Sequence, residues 1–175
     1  MFKSAIKSLL GSRHKREAKK LQPLVAEINE IYEELQSLSD EELRGKTDEF
    51  RERIAEATAE LKGQIESLKE EKRHSQDASE RERLSMEIGG LEKELLEVIE
   101  DTLEDLLPEA IAVVKDACRR LMGRGREVVV TGQTLTWDTI PCDVRFIGGI
   151  ALHRGKAAEM ATGEGKTIVT TMPLS

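Results

Sequence analysis

The chain has 175 residues, of which 35% are charged and only 3% aromatic. This length allows one good hydrophobic core or two small ones, and this composition suits long solvated helices better than a compact β-sandwich or barrel. The net charge of −7 conceals an asymmetry, with +6 over residues 1–20, −15 over residues 21–107 and +2 over residues 108–175. Because coating a nucleic acid needs a basic face, the acidic middle argues against that class, and no specific nucleic-acid partner is expected.

The cysteines and the apolar runs indicate the compartment. Cys118 and Cys142 form no C-x-x-C pair and have no histidine at matching spacing, so neither a disulfide framework nor a zinc site is indicated. No apolar run approaches the roughly 20 residues that a membrane-spanning helix needs. The N-terminus also lacks the apolar core and cleavage site of a signal peptide. We therefore expect a protein that starts in the cytosol.

Residues 2–20 have the pattern of a short basic amphipathic helix. Four apolar side chains share one helical face, namely Phe2, Ile6, Leu9 and Leu10. Lysines lie off that face, and a basic cluster follows at residues 13–20. Such a helix suits an anionic phospholipid surface. The alternative is a frayed, solvated terminus, which is common in proteins.

A second helix is expected from Pro23, which suits a first helical turn because its missing N–H would be unpaired there in any case. The apolar stripe runs to about Leu38 and consists of Leu24, Ile28, Ile31 and Leu35. Ser39 and Glu42 then form the pattern of a capping box, which predicts the start of a long helix. Asp40 and Glu41 look like the acidic motif of an ATPase Mg²⁺ site, but no buried strand precedes them, so the helix start explains them better.

Two long helical segments with a polar break at residues 74–78 predict an antiparallel coiled-coil hairpin. A second capping box, from Ser79 to Glu82, is expected to restart the helix. The heptad seam that follows comprises Leu84, Ile88, Leu91, Leu95 and Val98. Gly89 and Gly90 interrupt it at a cost of roughly 2 kcal/mol relative to two alanines. The seam closes within one chain or pairs with a second copy in a homodimer, and the sequence does not separate these alternatives.

Pro108 indicates the first turn of a further helix, which is expected to run to Met122 and end at the following glycine. Its apolar face comprises Ile111, Val114, Cys118 and Leu121. Cys118 on that face is best explained as a small buried hydrophobic residue.

Two short strands, at residues 128–131 and 134–137, are expected to form a β-hairpin. Gly132 and Gln133 lie between them, and glycine in the first turn position predicts a type II′ turn, with Trp137 covering one edge. Residues 143–153 then predict a helix. A structural role is expected for His153, because no nucleophile or carboxylate lies at a useful spacing.

Residues 159–167 carry the phosphate-binding half of a P-loop, preceded by a short buried strand expected at residues 155–160. The loop itself is Thr162-Gly163-Glu164-Gly165-Lys166-Thr167, in which the glycines let the backbone curl so that N–H groups point at an anion. Lys166 would reach the β- and γ-phosphates, and the Thr167 hydroxyl would ligate Mg²⁺. Ile168, Val169 and Met172 are expected to face a core. Met160 stands where the full P-loop motif has its first glycine. The alternative to nucleotide binding is that the segment is a fortuitous glycine-rich turn.

These segments together resemble the N-terminal region of SecA, the bacterial motor ATPase that drives preproteins through the SecYEG channel. The segments that carry the resemblance are Leu21-Gln22-Pro23 and residues 39–51, 107–114, 147–153 and 158–167. Methionine is common in that family at the position of Met160, which removes the objection to the loop.

The resemblance implies ATP and Mg as cofactors, with Lys166 and Thr167 as catalytic residues. It also implies nucleotide contacts from Arg145 and from residues 162–167 and a Mg²⁺ contact from Thr167. The family usually has glutamine, which contacts adenine, at the position of Arg145. A guanidinium offers no acceptor to the adenine amino group, so Arg145 either stacks on the base or leaves adenine selectivity weaker.

The resemblance further implies a protein peripheral to the cytoplasmic face of the inner membrane, with the SecYEG channel, unfolded preproteins and anionic phospholipid as partners. The expected fold is mainly α with a small β-hairpin and the opening strand and P-loop of an incomplete RecA-like α/β domain. Four parts are expected, at residues 1–20, 21–54, 55–101 and 102–175, of which the third resembles an insertion. The chain is expected to be the N-terminal part of a larger ATPase and inactive alone. The alternative is a helical self-association or partner-binding module whose P-loop does not function.

Overall fold

The computed structural model describes residues 13–130, 132–160, 162–163 and 165–174, and it confirms a mainly α fold. Two helices of 35 and 46 residues dominate it. The helices are α1 (Arg13–Lys20), α2 (Gln22–Leu35), α3 (Asp40–His74), α4 (Ala78–Gly123), α5 (Asp143–His153) and α6 (Lys166–Thr171). The strands are β1 (Glu127–Val130) and β2 (Gln133–Thr136), and a 3-10 turn spans Met172–Leu174. The amphipathic face expected at residues 2–10 lies outside the described residues.

The chain divides into two compact units. One, the hairpin unit, is Arg44–Leu106, and the other, the core unit, comprises the described residues of Met1–Leu43 and Leu107–Ser175. The long helices α3 and α4 contribute residues to both units. No helix in the described part of the chain is both long and apolar enough to cross a membrane.

The hairpin unit confirms the antiparallel helical hairpin, because α3 and α4 run back along each other after a short turn at residues 75–77. Ile65, Leu84 and Ile88 are buried, and the later seam positions are half-buried. Lys69 of α3 and Glu92 of α4 form an ion pair of 2.8 Å across the two arms. Since Leu84 and Ile88 are already covered in a single chain, this part of the seam closes within the chain.

The second capping box is wrong. Asp77, not Ser79, caps α4, because the Ser79 N–H donates to Asp77 Oδ1 at 2.9 Å and the helix begins at Ala78. A carboxylate is a strong acceptor at this position and accepts from the second helical residue. Ser75 Oγ donates to Glu80 at 2.7 Å, which ties the turn to the first turn of α4.

The first capping box is confirmed. The Glu42 N–H donates to Ser39 Oγ at 3.2 Å, and the Ser39 N–H donates to Glu42 Oε2 at 2.7 Å. These two hydrogen bonds satisfy two N–H groups that a helix start leaves unpaired, and α3 begins at Asp40, directly after Ser39. The Ser39 backbone N–H and the Ser39 side chain, both hydrogen-bonded to the Glu42 carboxylate, lower the pKa of Glu42.

Asp40 holds the start of α3 against the end of α4. Its carboxylate accepts from Arg120 Nη1 at 2.9 Å and also from Arg124 Nη2. Arg120 donates in addition to the buried Asp116 at 2.7 Å and to the carbonyl of Leu38 at 2.7 Å. The hydrogen bonds from Arg124 and Arg120 lower the pKa of Asp40 to about 2. Asp40 at the helix start therefore has a structural role, as the sequence suggested.

The hydrophobic cluster of the core unit is built mainly from α2, α4 and α5. On α2 the buried face is Val25, Ile28, Tyr32 and Leu35, so two positions of the expected stripe are replaced by their neighbours in sequence. The other buried members are Leu43, Leu107, Ile111, Ala112, Phe146, Ile150 and Met172. Cys118 is buried as expected, and its burial raises the pKa of the thiol to about 11.

The helix boundary expected at Pro108 is wrong, because α4 continues through this residue. A proline inside a helix removes one backbone hydrogen bond and normally kinks or breaks it. Here Leu107 and Ile111 are buried on either side of the proline. Packing of an apolar face supplies most of the stability of a helix in a protein, and it outweighs the local penalty of one proline.

The β-hairpin is confirmed, but its type II′ turn is wrong. Val130 pairs with Gln133, so Gln133 belongs to β2 and two residues of the sequence separate the paired positions. Gly132, with φ of +80°, is therefore the second loop residue, whereas a type II′ turn needs glycine in the first. The backbone N–H of Trp137 donates to the Arg126 carbonyl at 2.7 Å and extends the strand pairing by one hydrogen bond.

Candidate phosphate-binding site

Helix α5 has the bounds expected from the sequence, and it contributes Arg145 to the candidate site. Side-chain hydrogen bonds from α2 and α4 fix its first residue, Asp143. Asn29 Nδ2 of α2 donates to Asp143 Oδ1 at 3.2 Å, and Lys115 Nζ of α4 donates to Asn29 Oδ1 at 2.7 Å. The Lys115 ammonium lies 4.0 Å from the centre of the Tyr32 ring, a cation–π contact. Burial lowers the pKa of Lys115, against the opposing effect of nearby carboxylates. This chain of contacts ties the start of α5 to two other helices.

The glycine pair of α5 brings α6 close. A Cβ placed on Gly148 would lie 3.0 Å from Val169 Cγ1, and one on Gly149 would lie 2.7 Å from Met172 Sδ and 3.1 Å from Met172 Cβ. Ile168, Val169 and Met172 are buried, as expected. The position of α6 therefore depends on the absence of side chains at two positions of α5.

The strand expected before the loop does not form. Residues 156–160 are neither helix nor strand, and Ala158 and Met160 are only half-buried. A strand needs a hydrogen-bonded neighbour, and in the described part of the chain β1 and β2 pair only with each other. Met160 instead packs on α5, where its Sδ lies 3.5 Å from the position of a Gly148 Cβ.

The glycine-rich loop has the backbone that the sequence predicts at its two described glycines. Gly163 and Gly165 have φ values of +89° and +81°, in the left-handed region that side chains disfavour. Gly165 caps α6, and its carbonyl accepts from the N–H groups of Ile168 and Val169. Thr162 is exposed, and Glu164 lies outside the described residues.

Lys166 and Thr167 occupy the first turn of α6 and are both exposed. Within the described part of the chain, no hydrogen bond or ion pair engages either side chain. An ammonium and a hydroxyl at this place suit a phosphate ester and its Mg²⁺ ion. The described residues contain no cluster of three or more His, Cys, Asp or Glu side chains that would hold a metal by itself.

Arg145 lies against the loop. A Cβ placed on Gly165 would lie 2.9 Å from Arg145 Nε, 3.0 Å from its Cζ and 3.1 Å from its Nη2. Arg145 Nη1 donates to the Ile140 carbonyl at 3.3 Å. The guanidinium therefore fills the space that any side chain at position 165 would need.

The comparison with known protein families fits this loop. Residues 6–175 match the family model described as the SecA DEAD-like domain. The chain belongs to the SecA family. It is 46% identical to a protein translocase subunit SecA from Chloroherpeton thalassium, over 96% of this chain and 16% of that protein. It is 43% identical to SecA from Salinibacter ruber, over 97% of this chain and 16% of that protein.

A third relative, SecA from Flavobacterium psychrophilum, is 38% identical over 97% of this chain and 18% of that protein. The chain thus spans less than a fifth of the length of these curated SecA proteins. The region that matches the family model includes residues 55–101 and extends beyond them in both directions. No solved structure matches the chain.

In this SecA-family chain the described residues of the predicted site lie together. Thr162, Gly163 and Gly165 come directly before α6 in the sequence, Lys166 and Thr167 begin that helix, and Arg145 of α5 lies against Gly165. Sequence reasoning missed the supporting Asn29 and Lys115. Lys115 follows Ile111 by four residues and precedes Cys118 by three, so it lies on the apolar face of its helix. A single charged residue on such a face was the sequence signal that could have indicated its role.

Proposed function

We propose that residues 162–167 form the phosphate-binding loop of a protein-translocating ATPase. The observation that carries the proposal is the loop backbone, in which two left-handed glycines lead directly into a helix whose first residues are the exposed Lys166 and Thr167. Glycines in this conformation let consecutive N–H groups converge on an anion. Membership of the SecA family supports the assignment of ATP as that anion.

The side chains would divide the work by their chemistry. The Lys166 ammonium would neutralise phosphate charge, and the Thr167 hydroxyl would be one ligand of Mg²⁺, with phosphate oxygens and water completing the shell. ATP supplies the transferable phosphoryl group and the free energy of its hydrolysis. Since phosphoryl transfer depends largely on charge stabilisation, loss of Lys166 should affect the rate more than loss of any other single side chain in the loop.

The wider setting follows from the relatives, which are named as translocase subunits. We propose that the whole protein moves unfolded preproteins through the SecYEG channel from the cytoplasmic face of the inner membrane. Residues 1–20, with a net charge of +6, would help to dock it on anionic phospholipid.

The test is Lys166→Ala in the full-length protein that carries this sequence. We expect ATP turnover to fall to background, because the charge at the phosphates is lost. Lys156→Ala is the matched control, since Lys156 is exposed, lies ten residues earlier and makes the same charge change. Undiminished turnover in Lys166→Ala, or equal loss in both variants, contradicts the assignment.

A second candidate function is self-association through residues 55–101. It is favoured by large apolar side chains that remain exposed on α4, with Met86 at 70% and Leu96 at 59%. Sedimentation of the chain with and without residues 57–100 tests it. A dimer that is lost with the deletion supports this function, and a monomer in both cases counts against it.

A further inference from the structure

We infer that Arg145 binds the phosphates of the nucleotide and not its base. The inference rests on the proposed function of the loop and adds to it a second cationic ligand, contributed by α5. A glutamine-type contact with adenine, implied by the family resemblance, does not fit the place where the structure puts this side chain.

The geometry is the first argument. Three atoms of the Arg145 guanidinium group lie 2.9–3.1 Å from where a Cβ of Gly165 would be, so the group packs on the loop backbone itself. Gly165 directly precedes Lys166, the residue assigned to the β- and γ-phosphates. A base is separated from those phosphates by the ribose and the α-phosphate. A group packed on Gly165 is therefore nearer to the phosphate end of a bound nucleotide than to its base.

The chemistry of the side chain is the second argument. A guanidinium presents five N–H donors in a planar fork that matches two phosphate oxygens, and it has no acceptor for an amino group. It is also weakly hydrated for a cation, which suits a half-buried position such as this one. Both properties favour a phosphate over the amino edge of adenine.

The third argument is pre-organisation. Arg145 is the third residue of α5, whose first residue is held by the Asn29–Lys115 chain. Its Nη1 is held by the Ile140 carbonyl at 3.3 Å. A side chain fixed at both its backbone and its tip loses little entropy when a ligand binds, so its contribution to affinity is larger.

The experiment measures equilibrium binding to the full-length protein of three ligands: ATP, GTP and inorganic tripolyphosphate, which has no base. For Arg145→Met, which removes the charge and offers no amide to adenine, we expect the Kd for ATP and for tripolyphosphate to rise by the same factor, about tenfold, as for one lost charge-assisted pair. The ratio of ATP to GTP affinity should stay constant. Arg145→Lys keeps the charge without the fork, so its Kd values should fall between those of the wild type and Arg145→Met.

Two control variants separate this inference from the proposed function. Arg154→Ala removes the same charge just beyond the other end of α5 and should bind all three ligands as the wild type does. Lys166→Ala should lose tripolyphosphate binding, and if it does not, the proposed function fails whatever Arg145 does. If Lys166→Ala behaves as expected but Arg145→Met weakens only ATP, Arg145 contacts the base or ribose and the inference is overturned. Unchanged Kd values in Arg145→Met overturn it as well.

Discussion

Two glycine pairs with the same sequence have opposite roles in the two units. A Cβ on Gly89 or Gly90, in the hairpin unit, would meet no atom within 4 Å, whereas one on Gly148 or Gly149, in the core unit, would touch α6 or the turn after it. In the first pair, glycine only weakens the helix. In the second pair, glycine makes room for residues about 20 positions further along the chain. Local pattern therefore determines the hairpin unit, whereas distant packing positions α6, the helix that follows the proposed phosphate-binding loop.

The largest effect on stability should come from adding a side chain at Gly149, in the second glycine pair. Gly149→Val places two methyl groups against Met172 and should destabilise the core unit by about 2–3 kcal/mol, the upper part of the usual range for overpacking. Trp137 is the single tryptophan and belongs to the core unit, so its fluorescence during urea unfolding reports on that unit. Gly90→Val is the matched control and should leave the tryptophan transition in place. Equal midpoints for Gly149→Val and the wild type would contradict this comparison.

Adding a side chain at Gly89 or Gly90, in the first glycine pair, should have a smaller effect on stability and of the opposite sign. Gly89→Ala or Gly90→Ala should each stabilise α4 by about 1 kcal/mol, because alanine is the better helix former and the added methyl group meets no neighbour. The hairpin unit contains no tryptophan, so far-UV circular dichroism during thermal unfolding is the suitable probe. A lower midpoint in either variant would mean that the glycines are needed for packing there too.

The smallest expected effect is a pH dependence confined to the core unit. Hydrogen bonds from Arg124 and Arg120 lower the pKa of Asp40 from 3.8 to about 2. Because the folded-state pKa is the lower one, the stabilisation is fully present above about pH 4 and is lost as the pH falls towards 2. Tryptophan-monitored urea unfolding at pH 5 and pH 3 should show a larger loss in the wild type than in Asp40→Asn. Equal losses would show that the arginine contacts do not contribute.

The sequence predicted the features that depend on neighbouring residues. Ser39 and Glu42 form the expected capping box, because a capping box is complete within four residues. Leu84 and Ile88 are buried as the heptad pattern requires. The end of α4 near Gly123 and both bounds of α5 were also predictable from local signals.

The errors occur where distant contacts outweigh local preference. Pro108 lies within α4 because its neighbours are buried, which no local signal indicates. The strand at residues 155–160 was expected as the flank of the glycine-rich loop, but pairing partners decide whether a strand forms. In the candidate site, the loop residues were predictable from their motif. The contact of Arg145 with Gly165 was not, because it joins two elements 20 residues apart.

The most direct test of distant packing at the phosphate loop is ADP binding to full-length Gly149→Ala and Gly90→Ala proteins. The added methyl group at position 149 meets Met172 and shifts the turn after α6, whereas the one at position 90 meets no atom within 4 Å. We expect the Kd for ADP to rise several-fold in Gly149→Ala and to stay unchanged in Gly90→Ala. Wild-type affinity in Gly149→Ala would contradict the account, because the loop would then not depend on the packing of α6 against α5.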